Sequence, residues 1–182
     1  KSPKFVQNGK KQEMRKMENG KVLVYYGKGK GKTSVAIGRG IRALGEGKRV
    51  VMIQFLDYYN TTEISFMRKL EPDFRIFHFD KARDTTELTE AMRKEVSFEL
   101  RSAFNFANKI VETGECEMLL LDGILECVHR GFLEEDDVLT LLDKKADGLY
   151  VILTGDSLPD QIRERADYIY CIQPEKVDGA FI

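Results

Sequence analysis

The chain has no tryptophan, three cysteines, four prolines and two histidines among its 182 residues. Cys116, Cys127 and Cys171 are far apart and form no Cys-x-x-Cys pair, which excludes a zinc framework or disulfide scaffold of recognisable spacing. They are expected to be buried or incidental thiols in a reducing compartment. His78 and His129 have no neighbour at ligand or triad spacing, so both are expected to be structural. No Ser/His/Asp or Cys/His set can be assembled, and the chain offers no nucleophile of its own. No apolar run approaches the roughly 18 residues of a membrane span, and no signal-peptide pattern is visible. A cytoplasmic location without membrane attachment is the expectation. A net charge of −1 gives no basic surface for coating nucleic acid.

What is present is concentrated in one stretch. Residues 27–32 alternate glycine and lysine (Gly27, Lys28, Gly29, Lys30, Gly31, Lys32) and are followed by Thr33 and Ser34. An apolar run, Val22 to Tyr26, leads in, and a helical pattern, Val35 to Leu44, leads out. Glycine lets backbone N–H groups close on a ligand, lysine suits phosphate oxygens, and a helix start adds unpaired N–H groups and partial positive charge. The stretch reads as an anion cradle, with Thr33 placed to hold a phosphate-bound Mg²⁺. The nucleoside-triphosphatase P-loop has four residues between its first glycine and Gly-Lys-Thr; here that first position is Tyr26, and Gly27 leaves three. The loop is one residue tighter than that pattern.

The remaining chain alternates strand and helix patterns. Strands are predicted at Val22–Tyr26, Val50–Leu56, Phe74–Phe79, Met118–Asp122, Tyr150–Thr154 and Tyr168–Ile172. Helices are predicted at Lys32–Leu44, Thr61–Leu70, Leu88–Glu112, Ile124–His129, Glu134–Lys144 and Pro159–Ala166, with Asn60 or Thr61 capping the second. Lys10–Glu18 forms a further short helical pattern carrying Met14 and Met17. The expected division is residues 1–20 as a segment docking over a site and 21–182 as one domain. Ala36, Ile37, Gly40, Ile41 and Leu44 are expected to face the sheet, and Gly38 and Gly40 suggest close packing. Phe98, Phe104, Phe106 and Ile110 are the packing candidates of the long helix.

The fold class is therefore α/β, an open and mostly parallel sheet with helices on both faces, a P-loop (RecA-like) nucleotide-binding architecture. In such sheets ligands sit at the carboxyl ends of strands. Gly27–Lys32, Gln54–Asp57, Asp122 and Thr154–Asp156 all fall there. Asp122, ending an apolar strand, suits support of Mg²⁺ directly or through water. Glu126, four residues on, is a candidate second carboxylate, and Glu63 is another.

These residues resemble the ATP:corrinoid adenosyltransferases of the cobalamin synthesis and salvage type. That family's loop is Gly-Asn-Gly-Lys-Gly-Lys-Thr, the short form seen at Gly27–Thr33. The similarity continues through Arg42-Ala43-x-Gly45-x-Gly47, Val51-Met52-Ile53-Gln54-Phe55, Leu121-Asp122 and Thr154-Gly155. The resemblance implies transfer of the 5′-deoxyadenosyl group of ATP to a Co(I) corrinoid, with release of triphosphate. It implies a triphosphate held in the loop in reversed orientation by Gly27 to Ser34, with Arg42 as a phosphate contact. Lys32 would stabilise the leaving group, and Thr33 and Asp122 would hold Mg²⁺ or Mn²⁺. A homodimer and a reductant protein for Co(II) are further implications.

The chain departs from the family pattern at several points. Asn is replaced by Lys28, Lys by Asp57, Glu by Gly123 and Arg by Asp156, and the aromatic pair that handles the corrinoid has no match in residues 80–86. A carboxylate some 4–6 Å from a triphosphate repels it by roughly a kcal/mol or more, and Lys28 offsets one such term. Two alternatives stay open from sequence: a nucleotide- or corrinoid-binding member without transfer activity, and another P-loop triphosphatase or kinase.

Overall fold

The computed structural model describes residues 19–56, 62–79 and 88–176. Its strands are β1 (Val22–Tyr26), β2 (Val50–Gln54), β3 (Phe74–His78), β4 (Met118–Asp122), β5 (Tyr150–Gly155) and β6 (Tyr168–Cys171). Its helices are α1 (Lys32–Gly45), α2 (Thr62–Met67, continued by a 3-10 turn at Arg68–Leu70), α3 (Glu90–Thr113), α4 (Ile124–His129), α5 (Glu135–Lys144) and α6 (Asp160–Arg165). The Lys10–Glu18 helix, the Asn60/Thr61 cap, Asp57 and the 80–86 stretch lie outside the described residues.

The strands make one sheet in the order β3-β2-β4-β5-β1-β6, with every neighbouring pair parallel. Parallel strands covered on both sides need apolar residues at odd and even positions alike. In β4, Leu119 and Leu121 pack with α3, α4, α5 and α6, and Met118 and Leu120 pack with α1 and α2. Leu119, Leu120 and Leu121 are fully buried, each stabilising the fold by about 1.5–3 kcal/mol relative to exposure. This two-sided burial is why near-continuous apolar runs mark these strands.

Helix α1 buries Ala36, Ile37, Gly40 and Ala43. Ile41, expected in that stripe, is 47% exposed, because it stands about 100° around the helix from Gly40; Ala43 takes its place. A Cβ on Gly40 would lie 2.5 Å from Cε2 of Phe74 and 3.2 Å from Cδ1 of Leu120, whereas one on Gly38 would meet nothing within 4 Å. The close-packing expectation therefore holds for Gly40 and not for Gly38. Gly40→Ala should lower stability by about 1–3 kcal/mol through overpacking. Gly38→Ala should raise it by up to about 1 kcal/mol through helix propensity. Urea denaturation of the two variants should show shifts of opposite sign.

Helix α3 starts at Thr89, whose hydroxyl accepts the Met92 N–H (3.3 Å), and stops at Gly114, whose φ of 64° is left-handed. Phe104 and Ile110 are buried, and Phe106 packs edge-on against Phe77 at 4.7 Å. Phe98 is not a core residue: it is 75% exposed. Cys116 and Cys127 are buried and Cys171 is exposed, all unbridged. Burial pushes the Cys116 thiol up to about 12, so it stays protonated and inert.

Candidate functional site

The glycines of the loop have different reasons to be glycine. A Cβ on Gly27 would sit 2.4 Å from the carbonyl oxygen of Ile172, just beyond β6, and one on Gly29 would sit 2.8 Å from it. That same carbonyl accepts the Gly29 N–H at 2.9 Å, and Gly155 O accepts the Gly27 N–H at 3.2 Å. The loop is thus laced to the ends of β5 and β6, leaving no room for side chains. Gly31 has open space around it but a φ of 102°, and it is the residue from which α1 departs. No acid stands in the first turn of α1 itself, so the helix's own sequence does not neutralise its positive end.

Strand order brings the second element to this loop. β5 lies between β1 and β4, so the start of α1 arches over the end of β5 to reach Asp122 at the end of β4. The Thr33 hydroxyl donates to the Asp122 carboxylate at 3.0–3.1 Å. Thr154, on the intervening strand, donates its hydroxyl to Asp122 Oδ1 at 2.7 Å and accepts the Gly123 N–H at 2.8 Å. Gln54, the register partner of Asp122 on β2, reaches Oδ2 with Nε2 at 3.5 Å. Burial pushes the Asp122 carboxyl up, and the hydrogen bonds from Thr154, Thr33 and Gln54 work against that shift. Gln54 is 6% exposed, and its Oε1 takes no hydrogen bond among the described residues. Hydroxyl, carboxylate and an unmatched amide oxygen are hard oxygen donors of the kind Mg²⁺ uses, so the residues present fit a divalent cation.

Lys32 folds back into the loop. Its Nζ donates to Gly27 O at 2.7 Å and Gly29 O at 2.9 Å, and pairs with Asp156 Oδ1 at 3.0 Å. Asp156 also pairs with Lys28, Oδ2 to Nζ at 3.5 Å. Asp156, an acid where the family pattern has Arg, is thus held by two of the loop's own cations. Lys28, Lys30 and Ser34 are exposed around the mouth of the cradle.

Other candidates fall elsewhere. Arg42 is not brought to the loop. It lies nine residues past Thr33 on one helix, about 13 Å along the axis, with Nε 3.6 Å from Glu46. It lines a separate cavity of about 250 Å³ with Arg39, Lys48, Leu23 and Met118, near the amino ends of the strands. Glu126 is mostly buried; its Oε1 accepts from Arg130 Nε at 2.9 Å and its Oε2 takes no hydrogen bond among the described residues, and no group of three His, Cys, Asp or Glu residues among the described ones is placed to hold a metal. His129 ends α4. His78 ends β3 beside Gln54, and burial, with Arg68 nearby, lowers its pKa and leaves it neutral. The polar bridge through Thr154 was not legible beforehand, because nothing local says which strand separates β1 from β4.

Comparison with known proteins identifies relatives of the chain. The family model described as ATP:corrinoid adenosyltransferase BtuR/CobO/CobP matches residues 18–178. The chain is 29% identical over 162 residues to a corrinoid adenosyltransferase of Escherichia coli strain K12, covering 87% of this chain and 79% of that protein. It is 30% identical over 153 residues to a corrinoid adenosyltransferase of Pseudomonas aeruginosa, covering 84% and 74% respectively. Among solved structures it is similar to a KaiC-like protein of Pyrococcus horikoshii at a TM-score of 0.51 and 19% identity, over 88% of this chain and 76% of that one. That likeness is one of fold, a parallel α/β sheet with helices on both faces.

Proposed function

The chain belongs to the ATP:corrinoid adenosyltransferase family, and from that premise we propose that its loop holds the triphosphate of ATP while a Co(I) corrinoid takes the adenosyl group. The observation that carries the site assignment is the convergence of Lys32, Thr33 and Asp122 at one end of the sheet, with Thr33 bonded to Asp122 at 3.0 Å. The absence of a nucleophile is then expected chemistry, because the corrinoid supplies it.

In this reading the cobalt electron pair forms the Co–C5′ bond as the C5′–O bond to the triphosphate breaks. The triphosphate leaves with the bonding pair, and no proton needs to move. Lys32, Lys28, Lys30 and the N–H groups at the start of α1 stabilise the charge that grows on the leaving oxygens. Gly27, Gly29, Gly31 and Ser34 shape the cradle. Thr33 and Asp122 would hold Mg²⁺ (or Mn²⁺), which supplies further neutralisation of phosphate charge. Thr154 and Gln54 keep the Asp122 carboxylate turned toward Thr33. A homodimer, a cytoplasmic location and a reductant protein for Co(II) follow from the family resemblance and complete the proposal.

The test is direct. With chemically reduced cobalamin, ATP and Mg²⁺, the protein should generate the adenosylcobalt spectrum and one tripolyphosphate per adenosyl transferred. Orthophosphate release without corrinoid would replace this reading with a triphosphatase. Tight ATP binding without transfer would make the chain a binding protein.

A further inference from the structure

On the reading that the loop holds a triphosphate, we propose that Asp156 sets the cation requirement of nucleotide binding: it occupies the loop lysines when the site is empty and admits the triphosphate only together with a divalent cation. Asp156 follows Gly155 directly, and Gly155 is pinned against α4. A Cβ there would lie 2.6 Å from Cβ of Leu125 and 2.8 Å from the Glu126 nitrogen. The Gly155 carbonyl also accepts the Gly27 N–H. The backbone carrying the carboxylate therefore cannot draw away from the loop without disturbing both contacts, and only side-chain rotation is open to it.

The carboxylate spans Lys32 at 3.0 Å and Lys28 at 3.5 Å, the cations a phosphate would otherwise engage. Partial burial works to raise its pKa, but Lys32 and then Lys28 outweigh burial and hold it below the usual aspartate range, so it is charged at neutral pH. Asp156 takes up two of the loop's cations and Asp122 adds a second carboxylate at the start of α1, so a far more negative triphosphate meets less positive charge than the loop lysines alone would offer. A divalent cation corrects that balance. It also offers Asp156 a partner once Lys32 and Lys28 turn to phosphate. A metal-free nucleotide has to displace the carboxylate with nothing given in return.

The experiment is titration calorimetry of the full chain with ATP, and separately with inorganic tripolyphosphate, in Mg²⁺ and in EDTA. The wild type should bind each at least about tenfold more weakly in EDTA. Asp156→Asn, which keeps the shape and removes the charge, should tighten metal-free binding about tenfold and shrink the Mg²⁺-to-EDTA ratio. An unchanged ratio, or equal weakening in both conditions, overturns the inference while leaving the nucleotide site in place. Wild-type protein that binds neither ligand in either condition removes the nucleotide reading itself, and this inference with it.

Discussion

Replacing Lys32 with alanine should weaken ATP binding by at least about 100-fold, or 2.7 kcal/mol. Two effects act together. The first is loss of a charge-assisted contact to phosphate, worth about 1.5–3 kcal/mol. The second is exposure of Asp156, which now keeps Lys32 company at 3.0 Å and would be left facing the phosphates. At 4 Å that repulsion runs from about 1 kcal/mol in water to 4 kcal/mol near a protein surface. Asp156 is 41% exposed, so solvent screening favours the lower end. The fold should survive, since among the described residues the Lys32 side chain bonds Gly27 O, Gly29 O and Asp156, all within the loop and its rim. Lys32→Arg should not restore binding, because a planar guanidinium cannot replace a point donor shared among three acceptors at 2.7–3.0 Å. Calorimetry checks affinity, and a melting curve checks that the variant is folded. Unchanged affinity would place the nucleotide somewhere other than this loop.

Much of the fold was legible because its elements are strongly patterned. β1 and β4 fall where the sequence puts them, Val22–Tyr26 and Met118–Asp122. The misses are side-chain directions at the margins of real elements. Ile41 and Phe98 are apolar residues on correctly placed helices, and they face solvent because helix rotation is set by packing that the local pattern only approximates. β2 ends at Gln54, two residues before the apolar run stops at Leu56, and both Phe55 and Leu56 are buried all the same. An apolar run shows burial more reliably than it shows where the strand ends.

At the site, the residues with chemistry were legible and their connections were not. Lys32, Thr33 and Asp122 follow from motif and strand ends. Thr154 as the bridge between Asp122 and Gly123 depends on β5 lying between β4 and β1, which is tertiary information. Gly123 looked like a lost carboxylate. In the structure its φ is 82°, a left-handed conformation that side chains rarely adopt, so the turn is built for glycine and a glutamate would be strained there. From sequence, Asp156 is one of two repulsive carboxylates of which Lys28 offsets one. In the structure Asp156 is the direct partner of Lys28, and these two departures from the family pattern meet in one ion pair. Arg42 shows the converse: a motif match carried a role to a residue that its own helix holds far from the loop.

Asp122→Asn should lower adenosyl transfer by about 100-fold or more and leave the protein at least as stable as wild type. On the proposed reading a hard cation loses its charged ligand, so the Mg²⁺ concentration needed for half-maximal ATP binding should rise as transfer falls. Stability moves the other way because burial raises the Asp122 pKa. The stability tied to that proton is full below the ordinary aspartate value and is lost as pH rises through the folded one. Asparagine carries no such proton, so in EDTA the variant's melting temperature should match or exceed that of wild type at neutral pH, with the difference closing in acid. The new amide hydrogens need acceptors. The Thr33 and Thr154 hydroxyls can rotate to accept, and Gln54 brings an amide oxygen that no described residue satisfies. A variant that lost activity and stability together would make Asp122 a structural residue. Full activity would exclude it from the metal site. Stability kept while activity and metal affinity fall is the pattern of a buried charge retained for chemistry at a cost to the fold.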